Sequence, residues 1–205
     1  EQVGKVLQKH KIDAVIHFAA FIEVGESQID PQKYYENNVN GTLALLKAMR
    51  QNKVGKIVFS STAATYGEPV YTPIDEKHPT QPINTYGRTK LMVENILQDY
   101  ARSYGLSYFA LRYFNASGAD FGARIGESHR SETHLLPIIL QSILGLRPFK
   151  VFGDDYQTKD GTCVRDYIHV LDLASAHIKA LEKMQDKQIA ETVNLGNGKG
   201  YSVLE

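Results

Sequence analysis

Short apolar runs alternate along this chain with longer stretches in which apolar residues recur every three or four positions. Val3, Val6 and Leu7, with charged residues between them, read as the end of an amphipathic helix, and the run Ala14 to Ala20 follows with His17 inside it. A continuous apolar run this short predicts a strand buried on both faces. The pattern then repeats. Pro31 to Arg50, with Val39, Leu43, Leu46 and Met49 spaced by three and four, predicts a helix ahead of the strand-like Lys56 to Ser60. Thr85 to Tyr104, closed by Gly105, predicts another ahead of Tyr108 to Phe114. Strands alternating with helices of this length imply right-handed crossovers, hence an α/β fold with a doubly wound parallel sheet.

Beyond Asn115 the texture changes to the irregular, Gly-bearing Ala116 to Gly122. Residues 1–115 therefore read as the sheet domain, and residues 116–205 as a smaller mixed α/β lobe with elements returning to the sheet. Within it the pattern predicts a helix around His134 to Leu144, a short strand near Val151, a helix from about Val170 to Met184 and a strand at Thr192 to Leu195. Composition narrows the possible partners. With 23 Lys plus Arg against 23 Asp plus Glu among 205 residues, and no basic run, there is no footprint for a nucleic-acid backbone. Gln141 and Ser142 interrupt the most apolar segment, Leu135 to Leu146, so no membrane span is expected. A single cysteine, Cys163, makes neither an internal disulfide nor a Cys-rich metal site, and it fits a cytoplasmic protein. It reads as a small buried filler, as His17 reads as a satisfied core histidine.

In open parallel sheets ligands sit beyond the carboxyl ends of the strands, which directs attention to His17–Ile22, Ser60–Gly67 and Tyr113–Gly118. Tyr86 and Lys90 stand one turn apart near the start of a predicted helix, so they share a face. An ammonium beside a phenol favours the phenolate and makes the tyrosine a usable acid or base. Spacing alone is weak support, because 12 tyrosines in a Lys-containing chain of 205 residues produce such a pair by chance. The hydroxyls of Ser60, Ser61 and Thr62 at a strand end strengthen it. A hydroxyl, a Tyr and a Lys together can hold an alcohol oxygen and remove its proton while hydride leaves for a nicotinamide.

Four strings carry a closer resemblance: Ser60-Ser61-Thr62 with Tyr66-Gly67, Tyr86-Gly87-Arg88-Thr89-Lys90, Leu111-Arg112-Tyr113-Phe114-Asn115, and Asp160 through Val170. With His17-Phe18-Ala19-Ala20 and Val24-Gly25-Glu26-Ser27, and in this order, they resemble the UDP-glucose 4-epimerases of the extended short-chain dehydrogenase/reductase family. The resemblance implies a Rossmann-like domain, NAD as cofactor, a UDP-sugar as substrate, and a homodimer acting in galactose metabolism. It also implies roles. Tyr86 would take the proton of the sugar 4-hydroxyl, Thr62 would hydrogen-bond the reacting oxygen, and Lys90 would hold the nicotinamide ribose and depress the Tyr86 pKa. Phe18, Ala19, Ala20, Phe21, Ile22, Asn37, Ser60 and Phe114 match positions around NAD. Asn115, His134, Lys150, Val151, Phe152 and Arg165 match positions around the UDP-sugar, Arg165 being suited to a phosphate pair.

Many relatives carry Lys at the position of Ile22 and Asn at that of His134. Ile22 accordingly reads as packing, His134 as a substrate contact or a helix cap, and Arg165 has an ion pair near Asp166 as its alternative. Ala63 and Ala64 follow Thr62 where sugar-nucleotide dehydratases carry an acid, and methyl groups transfer no protons, so elimination is disfavoured. A 4-epimerase of another UDP-sugar (a pentose, uronic acid or N-acetylhexosamine) and a non-catalytic nucleotide-binding relative are the alternatives. The glycine fingerprint G-x-G-x-x-G of a first βα turn is absent, and in the family Tyr201 to Glu205 opens a helix that is followed by further uridine-nucleotide contacts. The reading is thus of an internal stretch of a longer enzyme, expected by itself to bind NAD poorly and to turn over little. No metal site is expected.

Overall fold

The computed structural model describes residues 2–129 and 131–205. The chain forms two compact units, one running up to Tyr113 and including Ser175–Leu195, the other comprising Phe114–Ala174 and Gly196–Glu205. The first unit opens with α1 (Gln2–Lys9) and β1 (Val15–His17), then α2 (Val24–Ile29) and α3 (Pro31–Tyr34). A π-helical stretch, Tyr35–Asn40, joins α3 to α4 (Gly41–Gln51), and β2 (Lys56–Thr62), α5 (Thr85–Tyr104) and β3 (Ser107–Tyr113) follow. The second unit holds β4 (Asn115–Ser117), α6 (Leu135–Ile143) and β5 (Val164–His169); α7 (Val170–Lys183) then leads the chain back to β6 (Ala190–Leu195) of the first, and β7 (Gly200–Ser202) belongs to the second.

The first unit is built on a parallel sheet in the order β1-β2-β3-β6. Because strand side chains alternate, β2 and β3 serve two cores at once. Ile57, Phe59, Tyr108 and Ala110 pack with Leu7 of α1, Leu46 and Met49 of α4, and Val93 and Leu97 of α5. Val58, Phe109 and Leu111 pack on the other face with Ala180 of α7, Met184 and Ile189. Helices thus cover both faces, which is the doubly wound α/β arrangement. In the second unit β4 pairs parallel with β5, and β5 pairs antiparallel with β7.

Thr85–Tyr104 is helical as its periodicity predicts, and Gly105 closes it in the left-handed conformation at φ 71°. Three expectations need correction. Only Val15–His17 of the apolar run is strand, and Ile16 is 38% exposed, because β1 pairs with β2 alone among the described residues. No strand forms near Val151, where the side chains of Val151 and Phe152 lie in open loop. Tyr201 lies in β7 rather than opening a helix, held by its register against Arg165. Among the described residues no helix is long and apolar enough to cross a membrane.

Candidate active site

The centre of the first unit's chemistry is the carboxyl end of β2. There the chain leaves Thr62 into a tight turn, Ala63–Thr65, and the Thr62 hydroxyl accepts the Ala64 N–H at 3.1 Å. The start of α5 presses directly on this turn. A Cβ on Gly87 would stand 2.5 Å from the Ala64 carbonyl oxygen, so the residue after Tyr86 has to be glycine for α5 to come this close. The first N–H groups of any helix lack intrahelical partners, and here side chains supply those of Thr85, Tyr86 and Gly87 in turn. Thr85 N donates to Gln28 Oε1 at 3.1 Å, Tyr86 N to Ser27 Oγ at 3.2 Å, and Gly87 N to the N-cap Asn84 Oδ1 at 2.7 Å. The short helix α2, which periodicity misses, exists to deliver Ser27 and Gln28 to this point.

This docking brings Thr62, Tyr86 and Lys90 together. The Thr62 side chain acts on the phenol of Tyr86, and the Lys90 ammonium lies 5.8 Å from the centre of the Tyr86 ring and 4.9 Å from that of Phe59. Lys90 is 2% exposed and donates to the Ser60 carbonyl at 2.7 Å. Burial lowers its pKa to about 8, while the Glu94 carboxylate acts in the opposite direction. Burial raises the pKa of Tyr86, and the neighbouring Thr62 side chain only partly opposes this. The ammonium is turned to the Ser60 carbonyl, and desolvation of the phenolate dominates the shift at Tyr86.

Ser60 also engages Tyr113, whose phenol burial pushes up to about 12 and whose hydroxyl meets His177 Nε2 at 2.5 Å. His17 is partnered through Nε2 with Thr42 Oγ1 at 2.9 Å, and burial, with Lys90 nearby, lowers its pKa to about 4.

The residues expected around NAD divide by environment. Phe18, Phe21 and Ile22 are 58%, 38% and 44% exposed, so Ile22 is not packing. Phe18, Ala19 and Ala20 have no regular structure, and the Phe18 ring lies tilted against His177 with the ring centres 4.8 Å apart. Phe21 and the exposed Asn37 line an open groove of about 610 Å³ with Asp30, Gln32, Lys33 and Glu36, whose walls include neither Thr62, Tyr86 nor Lys90. Sequence reasoning passed over Asn38. It is 3% exposed, accepts from Phe21 N at 2.9 Å, and donates to Phe21 O at 3.1 Å and Thr89 Oγ1 at 3.2 Å, tying the loop after β1 to α5. Only its burial distinguishes it from Asn37, and adjacent asparagines in sequence do not reveal which one is buried.

Phe114 and the substrate residues belong to the second unit. Asn115 Nδ2 donates to the Asp166 carbonyl at 2.9 Å. His134 occupies the N-cap position of α6 without capping it; its Nδ1 instead lies 2.8 Å from Glu132 and 3.1 Å from Glu127. Lys150 is exposed, as are Val151 and Phe152. The exposed Arg165 donates to the Val164 carbonyl at 2.9 Å, while Asp166 accepts the N–H groups of Asn197 and Gly198 at 2.9 and 2.7 Å.

A parallel sheet covered on both faces, with a hydroxyl, a phenol and an ammonium at one strand end, is the arrangement of the nucleotide-binding α/β class. Residues 1–196 match the NAD dependent epimerase/dehydratase family, and the chain belongs to it. It is 58% identical over 201 residues to a UDP-glucose 4-epimerase of Halalkalibacterium halodurans, covering 98% of this chain and 60% of that protein. The solved UDP-glucose 4-epimerase of Brucella ovis in complex with NAD superposes with a TM-score of 0.96 at 52% identity, covering 100% of this chain and 63% of that one. The enzyme of Bifidobacterium longum in complex with NAD+ and UDP gives 0.93 at 43% identity, covering 98% and 61%. The chain thus spans about 60% of the length of these relatives.

Proposed function

We propose that the protein carrying this chain is a UDP-glucose 4-epimerase, interconverting UDP-glucose and UDP-galactose by transient oxidation at sugar C4. The observation that carries the proposal is the meeting of Thr62, Tyr86 and Lys90 at the end of β2 in a member of this family. Tyr86 is the base that takes the 4-hydroxyl proton and the acid that returns it, and Thr62 steers the reacting oxygen toward the phenol. The residues fit NAD. Phe18, Phe21 and Ile22 offer exposed apolar surface beyond β1, and Lys90 spends one of its three N–H donors on Ser60, leaving others for a ribose hydroxyl. NAD would be held by Phe18 to Ile22, Asn37, Ser60, Lys90 and Phe114, and when bound supplies reversible hydride acceptance. Ala63 and Ala64 put no acid beside Thr62, so the 4-keto sugar loses no water.

Asn115, His134, Lys150 to Phe152 and Arg165 would contact the UDP-sugar. The similarity to UDP-glucose 4-epimerases also supports a cytoplasmic homodimer in galactose metabolism. The test is coupled conversion of UDP-galactose by the full-length, NAD-loaded protein, with UDP-N-acetylgalactosamine run alongside. Conversion of UDP-galactose is expected, and Tyr86→Phe should lower kcat by about 10² to 10⁴ with little change in KM. A wild type inactive on both sugars, or a Tyr86→Phe variant of normal activity, overturns the reading.

A further inference from the structure

One turn beyond Lys90, α5 carries a buried carboxylate. Glu94 is 5% exposed and accepts from three donors: Ser61 Oγ at 2.5 Å, Arg112 Nε at 3.0 Å and Arg112 Nη2 at 2.6 Å. Strand register explains the meeting. Ser61 stands opposite Arg112 in the β2–β3 ladder, so both side chains emerge on one face, and α5 lays Glu94 across them. Arg112, 6% exposed, lies 4.6 Å from the centre of the Tyr66 ring, and the Tyr66 hydroxyl donates to Asn194 Oδ1 at 2.7 Å on β6. Three strands and the helix are therefore joined by one buried polar chain within the first unit.

Packing alone gives no reason for charges here, since apolar residues in place of a buried ion pair often leave stability unchanged or improve it. What the pair adds is direction. A bidentate guanidinium–carboxylate contact fixes rotation and translation together, and this one lies between the strand position flanked by Ser60 and Thr62 and the helix turn that follows Lys90. We propose that Glu94 and Arg112 form a positioning pair that locks α5 against the ends of β2 and β3 and keeps an anion beside the Lys90 ammonium. The proposal rests on the epimerase reading, in which Lys90 acts as a cation.

The groups facing Lys90 set the sign of the test. Tyr86 and Glu94 approach from its own helix, the Ser60 carbonyl and Phe59 ring from β2, and His17, neutral above a pKa of about 4, from β1. Arg112 reaches it from β3 through Glu94, and Tyr113 of β3 acts on Tyr86 and Ser60. Glu94 supports the ammonium against desolvation. Glu94→Gln removes that support and leaves the Arg112 cation without its counter-charge nearby, so Lys90 gives up its proton at lower pH.

In the full-length, NAD-loaded enzyme, kcat and KM for UDP-galactose should be measured from pH 6 to 10 for wild type, Glu94→Gln and Glu94→Gln/Arg112→Met. The single variant is expected to move the alkaline limb of kcat down by about one pH unit, so that activity is about tenfold lower on that limb, with KM nearly unchanged. The double variant leaves no buried guanidinium without its carboxylate and carries the same measurement if the single variant does not fold; its limb should also move down, by less. A limb at the wild-type pH in the folded variant, whatever the loss of melting temperature, overturns the positioning role. An inactive wild type overturns the epimerase reading instead, which keeps the two failures apart.

Discussion

Lys90 is held in a state that costs stability, and the cost can be read against pH. Its pKa falls from 10.5 in the unfolded chain to about 8 in the folded one, a penalty on the order of 3 kcal/mol for a group this deeply buried. Below about pH 8 both states are protonated and the penalty is fully present; between 8 and 10.5 only the unfolded chain holds the proton, so stability rises with pH as the penalty fades. Lys90→Met removes the charge but leaves the Ser60 carbonyl without its donor, which returns about 1 kcal/mol. The expected result is a protein about 2 kcal/mol more stable at pH 7, with the gain vanishing toward pH 10, and with epimerase activity lost. Denaturant melts at several pH values read this directly. A gain that does not depend on pH would mean that the lysine is not desolvated in the manner described.

At the scale of elements, the approach of α5 to the Ala63–Thr65 turn decides whether the site exists at all. A methyl group on Gly87 meets a backbone carbonyl oxygen at 2.5 Å, and a backbone cannot swing aside as a side chain can. Gly87→Ala should therefore push the start of α5 outward and break the Tyr86–Thr62 contact. The expected cost is about 1–3 kcal/mol in stability, together with a larger loss of kcat than of substrate affinity. Unfolding titrations and steady-state kinetics check both halves. This contact also marks how far the sequence is legible. The span of α5, its Gly105 cap, the strands β2 and β3 and the Tyr86–Lys90 pair follow from periodicity and spacing, since one helix and its flanking strands encode them locally. The partners of α5 do not. Ser27, Gln28, Asn38 and Arg112 come from elsewhere in the chain, and a serine that satisfies a helix N–H is written the same way as a serine in a loop. The β5 strand was equally hidden, because its Val164-Arg165-Asp166-Tyr167 stretch is half polar and pairs with two short partners rather than lying buried on both faces.

At the scale of the whole molecule the chain visits the first unit twice, and the second visit completes the sheet. The return of α7 and β6 covers Val58, Phe109 and Leu111, residues that come from β2 and β3 far earlier in the chain. One face of the sheet is thus built from local neighbours and the other from a segment that arrives last. Met184, 1% exposed, is one of the side chains that seal this second face. Met184→Ala leaves a cavity that the flat strand surface cannot collapse into, for an expected loss of about 2–5 kcal/mol. Met92→Ala, at a position 43% exposed on α5, is the matched control and should change stability by less than about 0.5 kcal/mol. Hydrogen exchange locates the effect. If the late segment is part of the same cooperative unit as the sheet, Met184→Ala lowers the protection of the β2 and β3 amides together with that of β6. If protection falls in β6 and α7 alone, the returning segment is a separately opening layer, and the end of β2 that carries Thr62 holds its place without it.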